Sequence, residues 1–280
     1  MEPTEYQDLT SLEEFRSVVE LEKQVWEYTD AEDVVPVPIL AVNVQRGGIL
    51  IGAFDEGREM VGFVYSLPGV RRGQLTQWSH MLGVIKHQRS VGIGKQLKFQ
   101  QRVRALQMGV DLIEWTFDPL QAMNAHLNFC KLGVIVSEYE ENIYGESSSP
   151  LHSGTPTDRL IAEWWIRTDR VEQLVAGSER PANSKAAIVP NEFLNETEVV
   201  DGWLACKDVN LQSGSTELHL EIPRDFSNMQ VQVPELAKHW RMTVRELFKT
   251  YFSQGYLAVD FVLDRVAGRG WYVLRRSEER

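Results

Sequence analysis

The first quarter of the chain changes from a helical pattern to a strand pattern of apolar and polar residues. Ser11 and Glu14 have capping-box spacing, and apolar residues recur three and four positions apart after them, which predicts a helix to about Tyr28. Leu40, Val42 and Val44 predict a short second helix. Two strands are expected next, Ile49–Phe54 and Met60–Ser66, joined by a hairpin turn at Asp55-Glu56-Gly57 and followed by a loop at Pro68–Gly73.

A strand, a glycine turn and a helix follow one another in the middle of the chain. The pattern predicts a strand over Leu75–Ile85, a turn at Arg89–Gly94 and a helix from about Val91 to Met108. Further strands are predicted over three apolar segments, Asp111–Asp118, Val134–Tyr139 and Leu160–Arg167. Adjacent strands followed by alternating strands and helices indicate a mixed α/β sheet.

The last third of the chain has its own pattern. Strands are predicted over Leu218–Ile222, Leu257–Leu263 and Trp271–Leu274, and a helix over Pro234–Phe252. Glycine, serine and proline between them and the earlier segments indicate a linker. The predicted division is therefore a catalytic domain at 1–170, a linker at 171–186 and a smaller α/β lobe at 187–280, which acts as a lid or dimerises.

Composition narrows the function classes. The chain has 280 residues and a formal charge of −11, with ordinary apolar content of 43% and charged content of 25%. This acidity argues against general nucleic-acid binding. Two cysteines, Cys130 and Cys206, provide neither a disulfide framework nor a metal set. An acidic, polar start and the lack of a 20-residue apolar run predict a cytoplasmic protein without membrane association.

The charges are unevenly placed. Met60–Val110 contains no Asp or Glu but eight basic residues, in a chain that is acidic as a whole. The predicted glycine turn and helix start lie inside this segment, and exposed N–H groups at a helix start bind anions. Glycines let a phosphate approach the backbone closely. The segment therefore predicts a site for a phosphate-bearing ligand.

Three glycine-rich phosphate sites are compatible with this position to different degrees. A P-loop requires Ser or Thr after Gly94-Lys95, where the chain has Gln96. A dinucleotide fingerprint requires a third glycine at Leu97, although Asp111 lies near the distance of its ribose-binding acid. The third pattern, Arg/Gln-x-x-Gly-x-Gly/Ala after a strand, matches Arg89–Gly94 at every position. It is the pyrophosphate loop of the GNAT acyltransferases.

A second motif strengthens this resemblance. Strand Asp111–Asp118 is followed by Asn124-Ala125 and by Lys131-Leu132-Gly133-Val134, which resembles the GNAT strand, helix and Lys-Leu-Gly-Phe ending. The runs FDPLQAMNAHLNFCKLG, NIYG and GTPTDRLIAEW, with LEIPRDF and WYVLRR near the end, resemble one bacterial subfamily of predicted GNAT acyltransferases. The resemblance covers nearly the whole chain. It implies a GNAT fold, with a mixed, mostly antiparallel sheet flanked by helices.

The resemblance also implies an acyl-CoA co-substrate and no metal. The pyrophosphate is expected on N–H groups at the start of the helix, and the pantetheine on backbone of the preceding strand. Two asparagines of the second motif are expected to bind pantetheine, or else to cap and pack. The expected CoA-binding residues are Met81, Leu82, Gly83, Val84, Ile85, Arg89, Ser90, Val91, Gly92, Ile93, Gly94, Lys95, Asn124 and Asn128.

The catalytic residues are less defined by the resemblance. Many GNATs carry a Tyr that protonates the thiolate at the position of Phe129, which cannot do so. Tyr144 in the NIYG run is the preferred candidate acid, with Tyr139, His126 and water as alternatives. His80, on the central strand, is the first candidate base because it titrates near working pH. Glu114, on the next strand, is the second. A core histidine is the alternative interpretation of His80.

The acceptor side is predicted from three residues. Trp26 is expected to contact substrate, or to pack in the core, while Asp118 contacts substrate or serves as a turn residue. Arg159 is expected to clamp an acceptor carboxylate, or to form an ion pair with Asp158 or Glu163. The predicted function is transfer of an acetyl or longer acyl group, such as succinyl, to a small-molecule amine. A non-catalytic CoA-binding sensor is the alternative, and a homodimer is compatible with the lobe.

Overall fold

The computed structural model of the chain describes residues 4–28, 30–89, 91–145, 155–177, 192–264 and 268–277. The chain forms two compact units. The described residues of the first lie within 4–115 and 165–168, and those of the second within 116–145, 155–164 and 169–277. Both units are mixtures of helices and mostly antiparallel strands, which confirms the predicted α/β class.

The first unit begins with a short strand and two helices, β1 (Glu5–Asp8), α1 (Leu12–Trp26) and α2 (Val37–Gln45). Its remaining elements are β2 (Ile49–Phe54), β3 (Met60–Arg71), β4 (Gln74–Val84), α3 (Ile93–Gln107) and β5 (Leu112–Phe117), whose last two residues belong to the second unit. The strand order is β1-β2-β3-β4-β5. Pairing is antiparallel except between β4 and β5, which are parallel.

Local sequence signals account for the ends of α1 and α3. Ser11 and Glu14 form the capping box that their spacing predicts, with the Ser11 side chain accepting from the Glu14 N–H. Helix α3 begins at Ile93, two residues later than predicted, because Gly92 has a φ of +98° as its N-cap. That left-handed conformation favours glycine.

The predicted loop at Pro68–Gly73 is wrong. Strand β3 continues through Pro68 to Arg71 and turns directly into β4, with Val70 opposite Leu75 and Arg71 opposite Gln74. Arg72 and Gly73 form the two-residue turn, with φ values of +49° and +79°. Such a turn suits the twist of a hairpin, but Arg is an unusual residue in it.

The second unit contains a five-stranded antiparallel sheet in the order β7-β6-β11-β12-β10. These strands are β6 (Ile135–Glu140), β7 (Arg159–Trp165), β10 (Glu217–Ile222), β11 (Tyr256–Asp264) and β12 (Arg269–Arg276), and a separate hairpin joins β8 (Asn195–Val200) to β9 (Trp203–Val209). The helices are α4 (Ala122–His126), α5 (Asp169–Val175), α6 (Phe226–Gln232) and α7 (Pro234–Ser253), and a π-helical turn spans Leu127–Leu132.

The compact units divide the chain elsewhere than the predicted domains. Strand β6 pairs with β11 through Val136 and Ala258, so residues from before and after the predicted linker share one sheet. Helix α5 occupies the start of that linker, whereas residues 178–186 lie outside the described residues. The division at 1–170 and 187–280 remains a prediction about the sequence segments.

Candidate active site

Strand β4 parts from β5 near its middle. Gln77 pairs with Ile113 and Trp78 with Glu114, and β4 then continues to Val84. Within the described residues, only β3 pairs with β4 beyond Trp78. The outer edge of Ser79–Val84 therefore presents backbone N–H and C=O groups that an extended ligand can bind in the manner of an added strand.

A β-bulge lies at the point where the strands part. Tyr65 of β3 faces Met81, whereas the next residue, Ser66, faces Ser79, which makes His80 the extra residue. A bulge reverses the alternation of side chains along a strand. As a result, Ser79 bonds to α3 while the His80 ring meets Tyr65 edge to face at 6.2 Å between centroids.

The predicted pyrophosphate turn follows β4. Arg89 donates from Nε to the Val84 carbonyl at 2.9 Å and from Nη2 to the Val25 carbonyl at 3.3 Å, so its side chain ties the end of β4 to the end of α1. Gly92 and Gly94 lie at the start of α3, while Ser90 lies outside the described residues. A Cβ on Gly94 would make only ordinary contacts, at 3.8 Å from Leu82.

Several basic side chains of the acid-free segment are committed to the protein itself. Arg71 forms an ion pair with Glu114 at 2.8 Å, and Arg104 forms one with Asp8 at 3.0 Å. Arg102 donates to the Ile166 carbonyl at 2.8 Å. The basic side chains of this segment therefore do not form one continuous cationic surface around the turn. The predicted anion binding depends more on the N–H groups at the start of α3 than on the number of basic residues in the segment.

Lys98 is a buried member of that segment. Its ammonium lies 3.6 Å from the centroid of the Trp115 ring and donates to the Ser79 hydroxyl at 3.1 Å. Burial lowers the pKa of the Lys98 ammonium well below its usual value. Lys98 therefore supports the back of β4, directly behind the bulge, rather than facing a ligand.

The candidate bases in the first unit have different surroundings. His80 is exposed along part of its ring, and the protein packed around the rest lowers the pKa of its imidazole. It is then neutral near pH 7 and able to accept a proton. Glu114 is 8% exposed and held by Arg71 beside the last β4–β5 pair.

A polar cluster next to His80 was not predicted from the sequence. Glu22 of α1 is fully buried, and the Tyr65 hydroxyl accepts from the Asn43 amide at 2.8 Å. Burial raises the pKa of the Glu22 carboxyl to about 7. The available signal was an acidic residue on the apolar stripe of an amphipathic helix, four residues before Trp26.

Trp26 lies beside this cluster. Its ring meets Phe63 edge to face at 6.1 Å and stacks with Tyr28 at 6.1 Å between centroids. It also lies against Gly83 of β4. Trp26 thus packs on the strand that is predicted to bind pantetheine, and its contact with substrate stays a prediction.

The other predicted site residues belong to the second unit. The Tyr144 hydroxyl shares a hydrogen bond of 2.7 Å with Thr116, and the residue is 43% exposed. Asn124 is exposed on α4, whereas Asn128 is buried in the π-helical turn, and its Nδ2 has no hydrogen-bond partner among the described residues. Such turns often occur at functional sites.

Asp118 and Arg159 form part of a buried ion network in the second unit. Asp118 accepts two hydrogen bonds from Arg241, at 2.8 and 2.7 Å, and lies 4.0 Å from Arg159. Burial raises the pKa of the Asp118 carboxyl, but Arg241 outweighs burial and brings it below the ordinary value. Arg159 therefore forms an ion pair with Asp118, a partner that was not predicted from the sequence.

Phe129 occupies the position where the resemblance predicts a tyrosine. It is fully buried and meets Phe117 and Tyr272 edge to face, at 6.2 and 5.7 Å between centroids. The position therefore belongs to the core of the second unit.

A membrane span requires a long, apolar helix. In the part of the chain that the structure describes, no helix is long and apolar enough to cross a membrane.

No protein-family profile matches the chain, and no curated protein matches it significantly. Among solved structures it is similar to an acetyltransferase of the GNAT family from Streptococcus pneumoniae, at 14% identity, with a TM-score of 0.47 over 57% of this chain and 98% of that one. It is similar to aminoglycoside 6′-acetyltransferase type Ii, at 18% identity, with a TM-score of 0.45 over 59% and 98%.

A third similar structure is the PaiA N-acetyltransferase from Thermoplasma acidophilum in complex with coenzyme A. It is 14% identical, with a TM-score of 0.42 over 58% of this chain and 98% of that one. These three solved structures, each similar to this chain over somewhat more than half of its length, are all acetyltransferases.

Proposed function

We propose that the chain is a GNAT-type N-acyltransferase, which moves an acetyl or longer acyl group from acyl-CoA to the amine of a small molecule. One observation carries the proposal. Strand β4 leaves β5 after Trp78, bulges at His80 and leads through a 3-10 turn at Lys86–Gln88 to the glycine turn and α3. An open strand edge is thereby followed closely by a helix start, which suits a long ligand with a phosphate part.

The pyrophosphate of the co-substrate binds at the start of α3. The N–H groups there, with the positive end of the helix dipole, attract anions. Gly92 allows the chain to enter the helix with a left-handed φ, and a Cβ there would meet no atom of the described residues within 4 Å. The turn is open to a ligand for the same reason.

The pantetheine part lies along β4. Its amide groups alternate donor and acceptor, as the edge of Met81–Ile85 does, so the ligand replaces the partner strand that β5 ceases to provide. Asn124 and Asn128 remain the further pantetheine contacts that the sequence predicts. The thioester then lies at the end of the pantetheine nearest the bulge.

The amine attacks the thioester carbonyl directly. The new bond joins nitrogen to the acyl carbon, the carbon–sulfur bond breaks, and the CoA thiolate leaves. A neutral His80 is the base predicted from sequence for the proton that the amine loses, and Tyr144 is the proposed acid for the thiolate. Glu114 is the less suitable base, because its carboxylate is engaged by Arg71.

A non-catalytic CoA-binding protein is the second candidate. The observation in its favour is Phe129, which is packed into the core where a thiolate-protonating tyrosine is expected. A thiolate is a good leaving group even without an acid, so this substitution does not prevent transfer. Release of CoA that depends on an added amine would exclude the second candidate.

The test is thermal unfolding of the purified chain with acetyl-CoA, succinyl-CoA, ATP or NAD. A ligand that binds only the native state stabilises it by about 2.7 kcal/mol at a hundred times its Kd. We expect an acyl-CoA to raise Tm and the other two ligands to leave it unchanged. A shift with ATP or NAD and none with acyl-CoA would refute the assignment of Arg89–Gly94.

A further inference from the structure

Glu22 is a buried carboxyl group with one unused oxygen. The residue is 0% exposed, and its Oε2 accepts from the Val35 N–H at 2.9 Å. Its Oε1 accepts no hydrogen bond from any described residue. A buried carboxylate that serves only the fold is expected to be fully hydrogen-bonded or paired with a cation. Among the described residues Glu22 has neither a full set of hydrogen bonds nor a cation partner, so its Oε1 is a candidate ligand-binding atom.

The register of α1 on the sheet shows where this oxygen lies. Glu22 and Trp26 are four residues apart and share one face of the helix. Trp26 contacts Gly83, which pairs with Phe63. One helical turn back along α1 corresponds to about two residues along the strands, which is the pair of Tyr65 and Met81. Glu22 therefore lies over the strand pair next to the His80 bulge.

Two further observations agree with this placement. Burial raises the pKa of the Tyr65 hydroxyl, and the charge of Glu22 raises it as well. The Tyr65 ring also contacts the His80 ring at 6.2 Å. Asn43 of α2 donates to the Tyr65 oxygen, which leaves the Tyr65 proton available for donation. The cluster joins α1, α2, β3 and β4 on one side of the proposed thioester position.

We propose that Glu22 is the acidic residue of the acceptor site, whose Oε1 binds the ammonium group of the acceptor and takes the proton that it must lose. The inference rests on the proposed acyl transfer. In this step an N–H bond of the ammonium breaks, the proton passes to Oε1, and the electron pair stays on nitrogen for attack on the acyl carbon. The acceptor is therefore a primary amine that arrives as a cation.

Chemistry supports Glu22 over His80 for this role. A carboxylate attracts an ammonium ion before it accepts the proton, whereas a neutral imidazole provides no such charge. A base is most effective when its pKa lies near the working pH, and the Glu22 carboxyl has a pKa of about 7. Burial moves the pKa of His80 the other way, below its usual value, which weakens it as a base.

A backbone segment fixes the other oxygen of this carboxylate. Val35 lies between the turn at Ala31–Asp33 and helix α2, and its N–H donates to Oε2. Oε2 is thus occupied by the protein, and Oε1 is the oxygen left for the acceptor. The low dielectric around a buried carboxylate strengthens its contact with an ammonium group.

The experiment compares Glu22→Gln with wild type and with Glu20→Gln. The first variant keeps the shape and the bond to Val35 but cannot take a proton. Glu20 is on the same helix, with a side chain that is 72% exposed and paired with Lys23, so it is the matched control. Acetyl-CoA affinity is measured by calorimetry. Amine-dependent CoA release is measured from pH 5.5 to 9 with ethanolamine, 1,4-diaminobutane, L-lysine and glycinamide.

We expect Glu22→Gln to bind acetyl-CoA as wild type does and to lose about 100-fold or more in amine-dependent release, the usual contribution of a general base. In wild type the rate of CoA release should rise with pH near 7, and in Glu22→Gln this rise should be absent. Glu20→Gln should match wild type in both respects. A Glu22→Gln rate within about threefold of wild type, with the same pH profile, would overturn the inference alone. Wild type that binds acetyl-CoA but releases no CoA with any amine would overturn the proposed function as well.

A His80→Gln variant separates the two candidate bases. We expect it to lower the rate while the rise near pH 7 remains, because that rise belongs to Glu22. If instead His80→Gln lost the rise in rate near pH 7 and Glu22→Gln kept it, His80 would be the base that takes the proton. That result would refute the role proposed for Glu22.

Discussion

Trp26 lies on Gly83 so closely that a Cβ on the glycine would come within 3.1 Å of the ring. The same Cβ would lie 3.0 Å from Phe63, on the neighbouring strand. Helix α1 and strand β4 therefore approach each other at a point where only glycine leaves enough room. This contact sets the height of α1 above the sheet, and with it the position of Glu22 one turn earlier.

A Gly83→Ala substitution should push the Trp26 ring away from β4. We expect a loss of about 1–3 kcal/mol in the free energy of unfolding, as for other overpacked sites. Amine-dependent CoA release should fall, because Glu22 moves with the helix. Denaturant unfolding measures the first effect and thiol release the second.

A double-mutant cycle with Trp26→Leu tests the cause of that loss. The smaller side chain relieves the clash, so the two substitutions together should cost less than the sum of their separate costs. Strict additivity would show that the Gly83 effect does not arise from contact with Trp26.

Helix α3 has one glycine with a positive φ near each of its ends, and the two provide a matched comparison. Gly92→Ala introduces a Cβ at a φ of +98°, and Gly109→Ala introduces one at +74° beyond the other end of the same helix. Each should cost about 1–2 kcal/mol of stability, because L residues avoid this conformation. Only Gly92→Ala should weaken acetyl-CoA binding, as measured by calorimetry.

Gly94→Ala completes this comparison. Its Cβ would make ordinary contacts with Leu82 and Val84 at 3.8 and 3.9 Å, so we expect a stability close to that of wild type. Equal loss of acetyl-CoA affinity in Gly92→Ala and Gly109→Ala would instead indicate a general effect on α3, and would contradict the turn as the pyrophosphate site.

Glu22 should make stability depend on pH in a direction that can be stated in advance. Its pKa is about 7 in the folded chain and about 4.3 in an unfolded one. The folded state thus holds the proton more tightly, so stability is full below about pH 4.3 and falls as pH rises to about 7. The loss attributable to this group is on the order of 3 kcal/mol.

Glu22→Gln should abolish that part of the pH dependence. The variant minus wild-type difference in unfolding free energy should increase between pH 4.5 and 7.5 and level off above. Urea unfolding at several pH values measures it, with Glu20→Gln as the control. A difference that does not change with pH would mean that Glu22 does not carry a raised pKa.

Much of the fold follows from local sequence signals. The α1 capping box, the β2 strand, the glycine N-cap of α3 and the α7 helix all have residue patterns that act within a few positions. The hairpin between β3 and β4 was missed because Arg72 adopts a φ that few residues of its type adopt. Pairing of β6 with β11 joins segments more than a hundred residues apart, which no local pattern encodes.

The candidate site, like the fold, could be predicted from the sequence only in part. The glycine turn and His80 were recognisable because their spacing follows from one strand and one helix. The bulge at His80 was not, because it depends on how β3 pairs with β4. Glu22 was overlooked because its importance depends on burial, and a single glutamate among apolar neighbours on a helix is visible only once its partners are known.

Asp118 provides a final prediction that separates structural from substrate-binding roles. Its carboxylate is held by Arg241, which is 1% exposed, so Asp118→Asn would leave a buried guanidinium without its counter-charge. We expect a loss of about 3–5 kcal/mol in unfolding free energy at pH 7. Since the folded pKa is depressed, this stabilisation is present above the unfolded pKa and is lost as pH falls through the folded pKa.

Asp111→Asn is the control for this measurement. Asp111 pairs with Arg167 at the surface, where both side chains are more than half exposed, and such a pair contributes at most about 1 kcal/mol. If Asp118→Asn were as stable as Asp111→Asn while the KM for the amine increased, Asp118 would be a substrate-binding residue rather than the counter-charge of Arg241. The structure favours the second role, because both carboxylate oxygens of Asp118 already accept hydrogen bonds from that arginine.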